Sequence, residues 1–493
     1  MKRWISTFAK KPKYKVPYMN RLIGFQIPLV CFVFIFGSSL MAQPGAGIPA
    51  PKNIIFMIGD GMGYNHIRAA AYYLGETRMV FEEFPVCLFM AHYPAKAGEY
   101  NAKTVGSNYS TPGYNTVAAW SDPEYLKRDV TESSAAATAM ATGHKTYNSS
   151  IGISMDLDTL TNLVQWAKAL GKSAGVVTSV PFSHATPAAF VAHNRQRSNY
   201  SQLACEMIFD SRCDLIMGCG NPRFDDNGVI QQKRWKDAKY VGDSSLWSKL
   251  IAGSGKQFKF KVSGRPRTVN DCDGDGKPDP WTVIQSLADF RALQNGPTPK
   301  RVLGCPEVFS TLQQSRDMNG NETNNSPPFM TPFTATVPRL DEMVQGALNV
   351  LDNNPKGFFV MIEGGAIDWA GHSGQKGRMI EEMVEFSSAV EMVVQWVERN
   401  SSWSETMLIV TGDHETGLLW GGDPFTPVAD RGKGQLPVIQ FNSTQHSNSL
   451  IPFFSKGTGS ELFRSYADEH DNVRGPYIQN SEIPQAILLL WAK

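Results

Sequence analysis

The chain has 493 residues, 42% of them hydrophobic, with 47 Lys and Arg against 46 Asp and Glu. That length can bury a large core and admits up to three domains or one large α/β domain. A formal net charge of +1 excludes a protein that coats nucleic acid or another polyanion through its charge.

Lys2, Arg3, Lys10, Lys11, Lys13, Lys15 and Arg21 precede an apolar stretch over 22–41, and Ala42 and Gln43 offer a small-residue cleavage point. Residues 1–42 are therefore expected to be a signal peptide, with Met19 as an alternative start. Gly37, Ser38 and Ser39 end the apolar run early, so no retained membrane anchor is expected and the mature protein is periplasmic or extracellular. Cys31 follows Val30, not the small residue a lipoprotein signal needs. Export permits disulfides among Cys87, Cys205, Cys213, Cys219, Cys272 and Cys305, with buried free thiols as the alternative.

Ile54 to Ile58 is a short apolar run without helical spacing, which fits a buried parallel strand, and it ends in Asp60 flanked by Gly59 and Gly61. A helix is expected from about Tyr64, and residues 98–122 read as loop. Glu132, Ser133 and Ser134 then open an alanine-rich helix. They form either an ordinary N-cap or a hydroxyl nucleophile placed where free backbone N–H groups favour an anion such as phosphate. An amphipathic helix over 160–170 and a strand over 174–180 follow. His184 and Thr186 then lead into a helix over 188–197, with Arg195 and Arg197 as candidate phosphate clamps.

From about 205 to 338 the pattern weakens, which reads as an inserted subdomain or crown. Inside it Asp271, Asp273 and Asp275 stand at alternate positions and Gly276 and then Asp279 follow, a spacing that can wrap oxygen ligands round calcium or make a solvated acidic turn. The central signal comes next. Residues 358–362 are a continuous apolar run that stops at Glu363, and Asp368 and His372 follow one helical turn apart. After a helix over 379–397, the strand 406–411 ends in Gly412, Asp413 and His414. His446 precedes a last strand over 450–454, and a helix over 483–491 closes the chain.

The strand ends thus supply Asp60, Thr186, Glu363, Asp368, His372, Asp413, His414 and His446. Open α/β sheets keep their sites at such carboxyl ends. Imidazole with carboxylate suits zinc, and carboxylate with hydroxyl suits magnesium, so the inventory is enough for two zinc ions and one magnesium. A serine and an arginine beside that cluster point to phosphoryl transfer.

On these residues the chain resembles an alkaline phosphatase. The motifs are 58–63 around Asp60, Thr131 to Ser133 with its alanine-rich helix, 185–188 around Thr186, Glu363 through Asp368 to His372, 411–414, and His446. The resemblance implies an α/β three-layer sandwich, with a large central mostly parallel sheet flanked by helices plus an inserted crown-like subdomain. It covers residues 51–493, with the insert at about 205–338. It implies hydrolysis of small-molecule phosphate monoesters at alkaline pH. Ser133 rather than Ser134 is then the nucleophile, and Arg197 holds two phosphate oxygens. Asp368, His372 and His446 take one zinc; Asp60, Asp413 and His414 take the other; and Asp60 bridges to magnesium completed by Thr186 and Glu363. No nucleic-acid partner is implied, and a homodimer stays open.

Three positions depart from commoner patterns of that family. Glu132 stands where many members have Asp orienting the arginine, His184 where some have Asp near the magnesium, and Trp369 where those have Lys. The rival readings are a phosphodiesterase or other hydrolase of the same superfamily, and a secreted metal- or phosphate-binding protein. A sulfatase would need Cys or Ser within a Cys/Ser-x-Pro-x-Arg motif near a strand end, and the sequence has none there.

Overall fold

The computed structural model describes residues 47–95, 113–232, 234–262 and 264–492. The expected leader over 1–42, with Met19 and Cys31, lies outside the described residues, as does most of the loop read over 98–122. Among the described residues no helix is long and apolar enough to cross a membrane.

Eleven strands make one sheet. In chain order they are β1 (Asn53–Gly59), β2 (Val86–Ala91), β3 (Ser173–Pro181), β4 (Leu215–Cys219), β5 (Thr282–Ile284), β6 (Val302–Gly304), β7 (Phe358–Gly364), β8 (Thr406–Gly412), β9 (Ile451–Gly457), β10 (Glu469–Asp471) and β11 (Gly475–Gln479). Their spatial order is β10-β11-β2-β9-β8-β1-β7-β3-β4-β6-β5. Every pair from β8 across to β5 is parallel, and only β9 and β10 run against their neighbours. The mostly parallel sheet expected from the apolar runs is present.

Those runs are apolar throughout because both faces of the sheet are covered. Along β1, Ile54, Phe56 and Ile58 enter one core, while Ile55 and Met57 enter the other. Helices Ser133–Thr142, Leu163–Ala169 and Glu482–Trp491 close the first core through Met140, Leu163 and Ile487. Helices Tyr64–Leu74, Leu340–Leu351 and Lys376–Asn400 close the second through Ile67, Met343 and Phe386. This is the three-layer arrangement.

Register then fixes the site. Ile58 lies opposite Glu363 of β7 and Thr411 of β8, and Gly59 opposite Gly364 and Gly412. The acids that end these three central strands therefore leave the sheet at one edge, side by side.

Several local expectations change. The helix read over 188–197 is a short one, Ala185–Ala189, because Asn194 exchanges backbone hydrogen bonds with Ile151 and draws the chain away from helical geometry. The strand read over 450–454 is β9, antiparallel to β8, and it is not the last, because β10 and β11 follow it. Within 205–338, β4, β5 and β6 extend the central sheet, and a separate crown is not confirmed. Cys87, Cys205, Cys213, Cys219, Cys272 and Cys305 are all free thiols.

The long helix also buries three acids behind the sheet. Glu381 pairs with Arg316 at 2.7 Å and Glu385 with Arg339 at 2.9 Å, but Glu382 Oε1 is buried without a hydrogen-bond partner. Burial first, then Glu385 and Glu381, push the Glu382 carboxyl up to about 8 from an ordinary 4.5, against the opposing pull of Arg316 and Arg378. Between those two values the folded state binds the extra proton, so stability falls as pH rises through that window and levels off above it. Glu382→Gln should therefore gain stability relative to the parent between pH 5 and pH 9, read as the difference in melting temperature at the two pH values.

Candidate active site

The site is assembled at the carboxyl edge of β1, β7 and β8. Gly61 follows Asp60 with φ +77°, and a Cβ there would come within 2.8 Å of Thr416 Oγ1 and 2.9 Å of Asp368 Cα. Glycine is thus required twice at this turn, for the left-handed backbone and for the close approach of the helix Ala366–His372. That helix carries Asp368 and His372 on one face, one turn apart. A two-stranded ribbon, Glu415–Thr416 against His446–Ser447, brings His446 in from the other side.

Two imidazoles have their outward nitrogens engaged by backbone carbonyls. His372 Nδ1 lies 2.6 Å from the Thr444 carbonyl and His446 Nδ1 2.8 Å from the Thr131 carbonyl, so each carries its proton on Nδ1. Both Nε2 atoms are then lone pairs, and they face one another at 3.0 Å, each 3.3 Å from Asp368 Oδ1. Two lone pairs and a carboxylate oxygen in that arrangement repel unless a cation or an added proton stands among them. Metal-binding histidines commonly anchor the second nitrogen in this way.

The second set surrounds His414, which is fully buried and stacks on His446 with ring centroids 3.6 Å apart. His414 Nε2 lies 3.4 Å from Asp60 Oδ1, 3.2 Å from Asp413 Oδ2 and 3.3 Å from Ser133 Oγ. Ligand atoms of Asp368, His372 and His446, and of Asp60, Asp368 and His414, lie within 4.8 Å of one another in each set. Asp60 Oδ1, Asp413 Oδ2 and Thr186 Oγ1 are buried with no hydrogen-bond partner.

Electrostatics makes the same point. Burial first, then Asp413, Asp368 and Glu363, push the Asp60 carboxyl well above its usual range, with only Arg197 opposing. Burial raises Asp413 to about 7 against the Gly61 N–H, and Glu363 to about 7 against the Thr178 hydroxyl. Buried carboxylates at this density are costly as anions unless cations compensate them. The donor chemistry fits metal ions, with nitrogen and carboxylate in two sets and the Glu363 carboxylate with the Thr186 hydroxyl in a third.

Ser133 is the first residue of the helix Ser133–Thr142, and Glu132 caps it by accepting from the Ser134 and Ala135 N–H groups. Glu132 also accepts from the Ser134 hydroxyl and the Ser149 N–H and pairs with Arg197 Nη1 at 2.5 Å. The Ser134 hydroxyl is thereby committed to the cap, and the Ser133 hydroxyl is the one aimed at His414. Through Glu132, Arg197 is held beside Ser133, whereas Arg195 is exposed. Arg197 Nη2 also lies 3.5 Å from His184 Nδ1. Burial, then Arg197, lower His184 to about 3, which leaves a neutral ring stacked on Tyr200 and touching Trp369.

The family model for alkaline phosphatase matches residues 51–482. The chain belongs to the alkaline phosphatase family. It is 27% identical to alkaline phosphatase 4 of Bacillus subtilis (strain 168), covering 86% of this chain and 87% of that protein. It is 26% identical to the tissue-nonspecific alkaline phosphatase of Rattus norvegicus, over 86% and 72%. Among solved structures, a cold-active alkaline phosphatase from a psychrophilic Shewanella superposes with a TM-score of 0.59 at 23% identity, over 89% and 99% of the two chains. That likeness is one of fold. Membership makes this chain an enzyme of a metal-dependent family, with the sets above as its candidate metal groups.

Within this alkaline phosphatase fold the acidic loop stands apart from the catalytic edge. Oxygens of Asp271, Asp273 and Asp279 converge, but Lys300 Nζ lies 2.6 Å from both Asp273 and Asp279 and 4.0 Å from Asp275. Asp271 accepts from the Gly276 N–H at 2.8 Å and Asp279 from the Cys272 N–H at 2.9 Å. The loop already has a cation, and calcium would have to displace it. The sequence reading missed Lys300, and it also missed Thr178, whose hydroxyl donates to Glu363, and Thr416, whose hydroxyl donates to Asp368. Thr416 was within reach of a pattern argument, since it stands two residues after His414 in an extended segment.

Proposed function

We propose that the chain hydrolyses phosphate monoesters to alcohol and inorganic phosphate through a phosphorylated Ser133. Asp368, His372 and His446 would hold one zinc, Asp60, Asp413 and His414 a second, and Asp60, Thr186 and Glu363 a magnesium. When bound, such ions would supply Lewis-acid neutralisation of charge on the attacking and leaving oxygens and would favour deprotonation of serine and water. The observation that carries this reading is the convergence of the His372, His446 and His414 Nε2 lone pairs on buried acids, with Ser133 Oγ 3.3 Å from His414.

Ser133 Oγ attacks phosphorus, the P–O bond to the alcohol breaks, and the alcohol departs with a proton. Arg197 offers a planar fork to two phosphoryl oxygens, and Glu132 fixes its angle. Backbone N–H groups at the helix start favour the anion. Water then displaces Ser133 from phosphorus and returns a proton to its oxygen. Because recognition centres on the phosphoryl group, many monoesters should react. The charged leader composition supports export to the periplasm or beyond, and calcium at the acidic loop is a subsidiary proposal that rests on three converging aspartates and requires displacement of Lys300.

The test is the ratio of monoester to diester kcat/KM in the zinc-loaded enzyme. A ratio of about a hundred or more is expected, because a monoester keeps three free phosphoryl oxygens, two for Arg197 and a third to face the metal groups, whereas in a diester that third oxygen is esterified and uncharged. Equal rates, or faster diester cleavage, would favour the phosphodiesterase reading.

A second expectation uses the departures. Trp369 gives no charge to bound phosphate, and neutral His184 gives none either. Trp369→Lys with His184→Asp should tighten inhibition by inorganic phosphate by about tenfold, make activity depend more on added magnesium, and slow turnover at alkaline pH, where product release is the expected limit. Unchanged phosphate inhibition would return Trp369 to a packing role beside His184.

A further inference from the structure

Thr416 has no place in the ligand sets above, yet it touches both of them. It is fully buried, and its Oγ1 lies 2.5 Å from Asp368 Oδ1 and 3.3 Å from His414 Nδ1. A hydroxyl has one proton to give, and an ionised carboxylate can only accept, so that proton goes to Asp368. The oxygen lone pair is left to accept from His414 Nδ1–H. The order of donation is therefore His414 to Thr416 to Asp368, and it has one direction only.

That direction fixes the chemistry at the other end of the ring. With its proton held on Nδ1, His414 presents a bare Nε2 to Asp60, Asp413 and Ser133. His372 and His446 anchor their Nδ1 atoms on the backbone carbonyls of Thr444 and Thr131. His414 is anchored instead on a side chain that also grips a carboxylate of the neighbouring set. Thr416 is itself immobilised. Its N–H donates to the Gly61 carbonyl, its backbone pairs with His446, and a Cβ on Gly371 would come within 2.9 Å of its Cγ2.

We infer that Thr416 is a positioning residue that couples the two metal sets, its single hydroxyl setting the His414 tautomer in one and the orientation of the Asp368 carboxylate in the other. This rests on the zinc assignment proposed above. It predicts that both sites weaken together when the hydroxyl is lost, although Thr416 binds neither ion. Outer partners of metal ligands are typically worth about 10- to 100-fold in affinity.

Thr416→Val keeps the shape between Gly61 and Gly371 and deletes the hydroxyl, while Thr416→Ser keeps the hydroxyl. Zinc is titrated into metal-free protein against a chromogenic chelator, and the melting temperature of each metal-free variant is recorded alongside. The parent should take up two zinc ions. Thr416→Val should lower both affinities about 10-fold or more with a metal-free melting temperature close to the parent, and Thr416→Ser should restore both to within about threefold. Parent-like affinities in Thr416→Val, a loss confined to one zinc, or a Thr416→Ser as weak as the valine variant would each overturn the inference while leaving the zinc assignment standing. A parent that takes up no zinc would remove both.

Discussion

Ser133→Ala is expected to lower monoester hydrolysis by three orders of magnitude or more, roughly 4 kcal/mol of transition-state stabilisation, while zinc content stays at the parent level. The metal ligands come from other elements, so deleting one hydroxyl leaves them in place. Ser134→Ala makes the contrast. Its hydroxyl donates to Glu132 and points into the cap, so that variant should lose stability and retain most of its rate. Steady-state kinetics with metal analysis checks both variants, and a crippled Ser134→Ala beside a mild Ser133→Ala would move the nucleophile by one residue.

Glu132→Ala should have the next largest effect, because one carboxylate performs two tasks. It caps the helix that begins at Ser133, a contribution of about 1 kcal/mol. It also pairs with Arg197, whose guanidinium, mostly buried, would be left without its counter-charge at a further cost of about 2 kcal/mol. Kinetically, an arginine free to swing holds the phosphoryl group less well, and kcat/KM should fall by about 10- to 100-fold. Glu132→Gln separates the tasks, since an amide oxygen can still accept from the helix N–H groups but carries no charge for Arg197. It should recover the smaller, capping share of the lost stability, about 1 kcal/mol, and little of the kcat/KM. Recovery of both would mean that the charge is not what aims the arginine.

Much of the catalytic edge was readable because the sheet is parallel and buried on both sides. A strand covered on both faces is apolar without interruption, so the end of the run is visible in the sequence, and the first acid after it marks the edge. Asp60, Glu363 and Asp413 follow from that argument with no knowledge of the pairing. His372 and His446 are brought together by tertiary contact, and only the resemblance joined them before the structure did.

What the sequence hid has equally specific causes. The segment after Ala189 has helical composition, but a long-range backbone exchange between Asn194 and Ile151 overrides local propensity. β5 and β6 have three residues each, too few for a period to show, so strands of the main sheet looked like part of an insert. Lys300 neutralises the acidic loop from 21 residues beyond Asp279, and nothing in the alternation of aspartates announces it. Thr416 reads as a plain threonine until its two partners are seen.

The measurement that bears most directly on the account is an anomalous-scattering map at the zinc edge from crystals of the zinc-loaded enzyme. Two peaks are predicted, one about 2.0–2.2 Å from ligand atoms of Asp368, His372 and His446, and the other at that distance from Asp60, Asp413 and His414. The Thr186 and Glu363 position should show no zinc signal. Absence of either zinc peak, or zinc bound only at positions away from these six side chains, would contradict it.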